Sequence, residues 1–537
     1  MKTIKIFLAI FSAALLFSAC SESFLDSEPL TNLTEANFYK TPEDAQLALV
    51  GCYDGLQVLY QSGVAFPVAS EILSDNTFGG TGNNDGYGYQ LLDEFDLSRS
   101  PSDVNLLEGN WTNYYNAIFR VNSLLQKIDQ VNWGGDTATR LSVESQARFL
   151  RAYFYFDMVR LWEKVPLLTE PTRDNVPQAE PDEIYKQITA DLLYSAENGD
   201  EDVSPGRINK WVAKAFIARV YLFYTGYYQK PDLVGAVTKA DALQGLEDVI
   251  ASDNYGLVGY QDGNSFKDLW PAAAASINEA GTGLNSTYIG KDNKETIFAI
   301  KHNITSDYDG NTDGNHWLVM LGLRVQSFPP YGMGWGACTV DPALYNAYDG
   351  NDKRRDASII GIQEEGLDFD VSDQREYTGY TNKKYTPLAM PGGKDVAEYN
   401  GAVNFMIGQY QDFVSMRYAD VLLMASELGS DNAQGYFDMV RSRAGLDSKP
   451  VTQTNIMAER RLEFPFEGIR YWDLLRQGLQ TAANTIEEST TVLNGGVEAE
   501  KIIQASDIIK TRGFQMIPQN QISLSSGVLK QNEGWKN

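Results

Sequence analysis

The stretch ESQARFLRAYFYFDMVRLWE, residues 144–163, decides the class of fold. Its apolar residues recur at helical spacing and no glycine or proline interrupts them, which makes it the strongest helix of the chain. Val165-Pro166 ends it, because the residue before a proline avoids the helical conformation. Upstream, Trp111–Val131 places Tyr115, Ile118, Val121, Leu125 and Ile128 on one face. Earlier still, Thr41-Pro42-Glu43-Asp44 reads as a helix start, with Thr as N-cap, Pro at the first helical position and acids in the first turn, ahead of the apolar face of AQLALVGCYDGLQ (45–57). Downstream, Asp182–Tyr194 and KWVAKAFIARVYLFY (210–224) repeat the pattern. The helices come in pairs of about equal length joined by short breaks, which predicts an α-helical repeat layer without a strict 34-residue consensus.

The middle of the chain, residues 252–410, changes composition. Segments such as GTGLNSTYIG, SDYDGNTDGNHW and FPPYGMGWGAC are rich in Gly, Asn, Asp and Tyr, and predict loops with short strands such as Glu295–Lys301. Helices resume at Arg417 and continue through Asn455–Arg476. The ending FQMIPQNQISLSSGVLKQNEGWKN reads as irregular.

The first residues read as an address. Lys2 and Lys5 precede the apolar run Ile6–Phe17, which suits a signal peptide and is too short to span a bilayer. Ser18 and Ala19 lead into Cys20, the pattern of bacterial lipoprotein processing, with Phe17 where Leu is usual. Residues 1–19 are therefore expected to be removed, Cys20 to be lipidated, and residues 20–33 to form a tether. Loss of Lys2 and Lys5 leaves 42 basic against 71 acidic residues, a formal charge of −29 on 518 residues. Such a charge argues against nucleic acid and other anionic surfaces as partners. Besides Cys20 there are only Cys52 and Cys338, which follow no disulfide or metal spacing and read as free, buried residues.

Enzyme signatures are scarce: there is no GxSxG, HExxH, P-loop or dinucleotide fingerprint. His302 and His316 are the only imidazoles, and neither has a ligand spacing that names a metal. Asp309, Asn311 and Asp313 resemble the first half of a calcium loop. The twelfth position is Met320 rather than Glu, so a polar surface turn is the favoured reading, Ca2+ the alternative, and no cofactor is expected. Paired carboxylates for glycoside hydrolysis cannot be picked from 71 acids. Arg417-Tyr418-Ala419-Asp420, the Glu459–Glu463 run and Arg470–Asp473 carry charges three and four apart, which predicts interhelical ion pairs rather than a site.

The same blocks carry a resemblance. FLRAYFYFDMVRLWEKVPLLTEP (149–171), GRINKWVAKAFIARVYLF (206–223), RYADVLLMASE (417–427), VRSRAGL (440–446), ERRLEFPFEGIRYWDLLRQG (459–478) and IPQNQISLSSGVLKQNEGW (517–535) resemble those of SusD/RagB proteins, in family order and over nearly the whole mature chain. Pro465 departs from the family pattern and is expected to end or kink its helix. The stretch after Glu427 is shorter than the family pattern implies.

The resemblance implies a mainly α fold, a tetratricopeptide-like helix-pair scaffold with a loop-rich, partly β variable region. It divides the chain into an N-terminal helical part, 34–250, and a C-terminal part, 251–537, with variable loops 252–410. It also implies a surface lipoprotein of the outer membrane that binds glycans, or peptides in the RagB branch, without cutting them. The implied partner is a SusC-like TonB-dependent transporter on which the protein sits as a lid.

A sugar ring buries its C–H face on an aromatic side chain and its hydroxyls on Asp, Asn or Arg. Two loop regions offer such sets. Residues 71–90 hold Asp75, Asn76, Phe78, Asn83, Tyr87 and Tyr89, and the middle holds Tyr288, Trp317, Tyr331 and Trp335. For any single aromatic, loop packing is at least as good a reading as ligand contact. Glycan capture is the leading reading, peptide capture the second and surface glycosidase the third.

Overall fold

The computed structural model describes residues 38–98 and 106–536, so the leader, Cys20 and the tether lie outside it. Among the described residues, long helices build the first half: α1 (Pro42–Gln61), α2 (Glu108–Lys127), α3 (Thr137–Trp162), α4 (Pro181–Asn198), α5 (Lys210–Tyr228) and α6 (Lys239–Ala251). Each packs on the next in sequence. α1 begins where its sequence says: the Asp44 amide donates to Thr41 Oγ1 at 3.2 Å and the Thr41 amide to the Asp44 carboxylate at 2.9 Å. This reciprocal box satisfies donors that a helix start otherwise leaves orphaned.

The 144–163 stretch becomes the centre of the molecule. Nearly every residue of α3 from Val143 to Trp162 is buried, its aromatic and aliphatic residues together with charges such as Arg151 and Arg160 that are matched by Asp191 and Asp157. Phe149, Tyr153 and Phe156 each lie within 5.7 Å, centroid to centroid, of the Phe216 ring on α5. The one buried acid on that face, Asp157, accepts from the Tyr60 and Tyr114 hydroxyls at 2.5 and 2.9 Å and from Arg160 at 2.6 Å.

Among the described residues the strands form only two-stranded sheets. They include β1 (Thr77–Gly80) with β5 (Ala337–Val340), β2 (Ala275–Ile277) with β3 (Leu284–Ser286), and β4 (Thr296–Ile300) with β6 (Phe413–Arg417), all antiparallel. β4 is the strand expected at 295–301. Its Phe298 meets Tyr153 at 5.6 Å, so the middle region shares the core of the helical layer. Cys52 and Cys338 are free and buried.

The helices that carry the charged blocks follow: α7 (Tyr418–Glu427), α8 (Ala433–Arg443), α9 (Gln453–Glu463) and α10 (Arg470–Leu475). Details differ from the sequence reading, while the break at Pro465 follows it. Arg417 belongs to β6, because its backbone pairs with Thr296 of β4, and the helix starts one residue later. The 455–476 segment is two helices: α9 stops at Glu463, Pro465 follows, and Phe466 turns through φ +67°. The C-terminal part also contains a hairpin, β7 (Glu488–Asn494) and β8 (Val497–Ile503). Its turn, Gly495-Gly496, has φ of +58° and +80°, the conformation for which Asn-Gly-Gly is the usual sequence signal.

The charged blocks pair with one another, as their spacing predicts. Five cations, Arg354, Lys384, Arg417, Arg441 and Arg443, interlock with five anions, Glu295, Asp352, Glu459, Glu463 and Glu467, all of them buried. Glu463 touches Arg417 at 2.8 Å, Arg354 at 3.1 Å, and Arg443. Burial alone would raise its carboxyl, but Arg443, Arg417 and Arg354 together hold it far below the usual range. Beside this knot, Asp420 takes Arg460 and Arg219, both at 2.5 Å. They overcome burial and hold its carboxyl down to about 2.

Candidate functional site

A groove of about 480 Å³ opens in the middle region, within the size range of small-molecule sites. The β2–β3 hairpin forms one wall, the segment from Thr386 to Met390 part of the floor, and the short helix Val396–Tyr399 with the loop after it the other wall. Tyr288, Tyr399 and Tyr410 line it, with Asn400, Gln409, Gln411 and Lys291 among them. Tyr399 is 61% exposed, while Tyr288 and Tyr410 are half-buried, which leaves ring surface for a ligand.

One carboxylate braces this wall. Asp395 caps the short helix, accepting from the Ala397 amide at 2.7 Å, and its other oxygen accepts from the Gln409 side chain at 3.0 Å. Burial pushes its carboxyl up to about 6 against these hydrogen bonds. The brace ties the helix bearing Tyr399 to the segment bearing Tyr410, and Asn400 donates to the Tyr410 hydroxyl at 3.0 Å. Lys291 lies over the Tyr410 ring at 5.6 Å. It donates to Asp412 at 2.8 Å and to the His302 carbonyl at 2.7 Å, so its charge is matched within the wall. Among the described residues no Asp or Glu side chain lines the groove.

A second aromatic surface lies outside the groove lining. Tyr87 is 56% exposed with the Arg375 guanidinium 4.1 Å from its ring centroid. Arg375 donates to the Asn83 and Asp85 carbonyls at 2.9 and 2.7 Å. Asp85 in turn pairs with Arg324 at 3.2 Å, and Arg324 lies 5.6 Å from the ring of the half-buried Trp335. Trp335 meets Phe405 at 6.2 Å, and the Phe405 carbonyl accepts from Gln409, which lines the groove. Asn83, Tyr87 and Trp335, chosen from two distant loops, are thus brought into one series of contacts that leads to the groove containing Tyr288.

The remaining candidates are occupied with structure. Trp317 is fully buried against Tyr385 and Phe413, at 5.1 and 5.7 Å, and Phe78 is 2% exposed on β1. Neither ring has a free face. Tyr89 is buried with its hydroxyl directed to the Gly63 carbonyl at 3.3 Å, and the buried Tyr331 donates to Glu365 at 2.7 Å. Asp75 is held in bidentate fashion by Arg470 at 2.7 and 2.9 Å, and Asn76 accepts from Arg461 at 3.0 Å. These two polar groups hold α9 and α10 to the end of the first loop. Asp309, Asn311 and Asp313 sit in a turn whose side chains bond locally: Asn311 Oδ1 accepts from the Asp313 amide at 3.0 Å and the Asp313 carboxylate from Asn303 at 3.1 Å. Among the described residues no group of three or more His, Cys, Asp or Glu side chains is placed to hold a metal ion.

Tyr399 and Tyr410 were not singled out from the sequence. The signal was present: AEYNG (397–401) and GQYQ (408–411) set a tyrosine among Gly, Asn and Gln, as the chosen stretches do.

Two stretches of the chain match known families. Residues 368–535 match the SusD family, and residues 62–222 match the SusD-like family described as starch-binding and associating with the outer membrane. The chain belongs to the SusD/RagB family. This family member is 26% identical to a SusD-like protein of Bacteroides ovatus over 490 residues, 87% of this chain and 81% of that one. It is 25% identical to SusD-like protein P38 of Formosa agariphila, over 88% of this chain and 91% of that one. Among solved structures, a laminarin-binding SusD-like protein superposes with a TM-score of 0.71 at 27% identity, covering 93% of this chain and all of the other. Surface glycan-binding protein A of Bacteroides thetaiotaomicron, in complex with laminarihexaose, shares the fold at a TM-score of 0.71 and 24% identity, covering 92% of this chain and all of that one. The SusD-like fold, helix-rich and tetratricopeptide-like, agrees with the helix pairing described above.

Proposed function

We propose that the protein captures oligosaccharides at the outer membrane, held there by lipid on Cys20, and delivers them to a SusC-like TonB-dependent transporter without cutting them. The observation that carries the reading is the groove in which Tyr288, Tyr399 and Tyr410 surround a space of about 480 Å³. Ring faces match the C–H face of a sugar, and Tyr hydroxyls and amides at the rim match its equator. The laminarin-binding and glycan-binding relatives support it, as does the outer-membrane association described for the family matched at residues 62–222. Glycoside hydrolysis needs two carboxyl groups about 5–10 Å apart across the scissile bond. The groove lining supplies none, which supports binding over catalysis.

Isothermal titration against oligosaccharides of defined linkage, laminarihexaose included, tests the reading. Tyr410→Ala should weaken the best ligand by about 1–3 kcal/mol, roughly 5- to 150-fold. Unchanged affinity in Tyr399→Ala, Tyr410→Ala and Tyr288→Ala alike places the ligand elsewhere. A second reading, peptide capture, has one observation in its favour: β3 pairs only with β2, and Leu284 and Ser286 of β3 border the groove. A strand edge there would accept an added peptide strand. Heat of binding with mixed peptides and none with any glycan would favour it.

A further inference from the structure

We propose that Asp395 is the positioning residue of the groove: its carboxylate holds the helix bearing Tyr399 to the segment bearing Tyr410, so that oligosaccharide binds tightly while that carboxylate is ionised and weakly once it is protonated. The inference rests on the glycan reading above and adds to it a coupling between capture and protons.

The two parts of this wall are anchored unequally. The Tyr410 segment is fastened to the core on both sides of the tyrosine. The Asn315 amide donates to the Gln409 carbonyl at 2.6 Å, the Asn315 side chain donates to the Gln411 carbonyl at 2.9 Å, and Asn315 is fully buried. The short helix Val396–Tyr399 is fastened at its start, where the Val396 amide donates to the Leu388 carbonyl at 2.8 Å. A single turn of helix has no stability of its own, so side chains must place the end that carries Tyr399. Two of them act near solvent: the exposed Asn400 on the Tyr410 hydroxyl, and the half-buried Glu398, which accepts from the Phe405 amide at 3.0 Å. Asp395 acts from the interior, at 6% exposure.

Each partner of that carboxylate is a donor. Oδ1 accepts from the Ala397 and Glu398 amides at 2.7 and 3.4 Å, and Oδ2 accepts from Gln409 Nε2 at 3.0 Å. A proton on Oδ2 sets an O–H against the Gln409 N–H. Turning the Gln409 amide over does not mend this, because Nε2 also donates to the Phe405 carbonyl at 3.0 Å and an oxygen in its place would face that carbonyl. Protonation therefore keeps the helix cap and breaks the bond across the wall.

The proton arrives in an accessible range. Burial pushes the carboxyl up to about 6 against its three hydrogen bonds, and Glu398 adds to the rise. The other ionisable groups around it are Lys394, whose ammonium lies 5.9 Å from the Tyr399 ring centroid, the Tyr410 phenol with Lys291 beyond its ring, and His316, whose Nδ1 meets the Met406 carbonyl at 2.6 Å. A ligand that needs the wall in place favours the ionised form, so its binding releases a proton and weakens as pH falls.

Titration calorimetry of the full chain with laminarihexaose, or with the defined oligosaccharide that binds best, tests this at pH 7.5, 6 and 5. Wild-type affinity should be about tenfold weaker at pH 5 than at pH 7.5. Asp395→Asn retains a good helix cap and puts an amide where the proton would sit. It should bind about tenfold more weakly than the wild type at pH 7.5 and lose nothing further at pH 5. His316→Asn should keep the wild-type profile. Amide hydrogen exchange over residues 396–401, corrected for intrinsic rates, reads the same contact without ligand: protection should fall from pH 7.5 to 5 in the wild type and be low at both in Asp395→Asn. Equal wild-type affinity and protection at the two pH values overturn the inference and leave glycan capture standing. A pH dependence that survives in Asp395→Asn, or disappears in His316→Asn, also overturns it and passes the role to another group. Binding of no glycan at any pH, with protection following Asp395 as expected, overturns glycan capture and this inference with it, while the wall contact stands.

Discussion

Replacing Glu463 by Gln asks whether the charged knot builds the protein or serves its ligand. Glu463 is fully buried and shared by Arg417, Arg354 and Arg443. In the wild type the five cations and five anions balance. Glu463→Gln keeps the shape and one acceptor but leaves an uncompensated positive charge. Removing one partner of a buried ion pair costs about 3–5 kcal/mol, and the retained acceptor puts this variant near the lower end. Unfolding entropy of ~2.1 cal/mol/K per residue over some 500 residues is ~1 kcal/mol/K, so the melting temperature should fall by about 3–5 °C. Circular dichroism melting reads the first quantity, and calorimetric titration of the still-folded variant reads the second. Affinity for glycan should match the wild type, because none of the three arginines lines the groove. A normal melting curve with lost binding would refute the reasoning and turn the knot into a site.

Three more outcomes follow from the geometry. Glu71 is buried with its carboxyl pushed up to about 7 by desolvation, against a hydrogen bond from the Gly468 amide. Its folded value lies above its unfolded one, so its contribution is present below pH ~4.5 and is lost as pH rises through about 7. Denaturant melts of Glu71→Gln at pH 8 should therefore show a gain of about 3 kcal/mol over the wild type that vanishes near pH 4; a constant difference across pH would contradict this. Cys20→Ala should shift the protein from the membrane to the soluble fraction, since no helix among the described residues is long and apolar enough to cross a membrane; retention after washing would show another attachment. Tyr87→Ala should leave the melting temperature alone and weaken long oligosaccharides by up to about 2 kcal/mol, whereas Trp317→Ala should lower stability by about 3–5 kcal/mol. The reverse pattern in calorimetry and melting would exchange their roles.

The helical layer was legible because its signals are local. Thr41-Pro42 and the aromatic run before Val165-Pro166 each act within a turn or two of helix, and the charges at 417–476 announce their helices although they pair between them. Pro465 was equally plain. The hairpin at Glu488–Ile503 was missed, although Asn494-Gly495-Gly496 marks its turn, because its strands carry mixed polar residues with a weak period-two pattern. Site residues were harder for a different reason. Composition finds loops where aromatics gather, and Tyr87, Tyr288 and Trp335 do retain accessible ring surface. It cannot tell which rings a loop folds inward. Trp317 sits among Gly, Asn and His in the sequence, yet its short helix turns it into the core beside Phe413. Asp75 looked free until Arg470, nearly four hundred residues later, closed on it.

The charged knot also bears on the order in which the molecule becomes competent. Lys384 precedes the groove floor by two residues, its carbonyl holds Gln411 on the groove wall, and its ammonium is matched by Glu467 at 2.7 Å. Glu295, just ahead of β4, is matched only by Arg417 and Arg443. The groove is assembled from segments between residues 271 and 411, but the counter-charges beside it arrive with the chain's last quarter. A polypeptide interrupted before Glu467 would carry every groove tyrosine and still leave Lys384 buried without its carboxylate. Completeness of the fold and the seating of the groove floor are in this way tied to a single distant carboxylate.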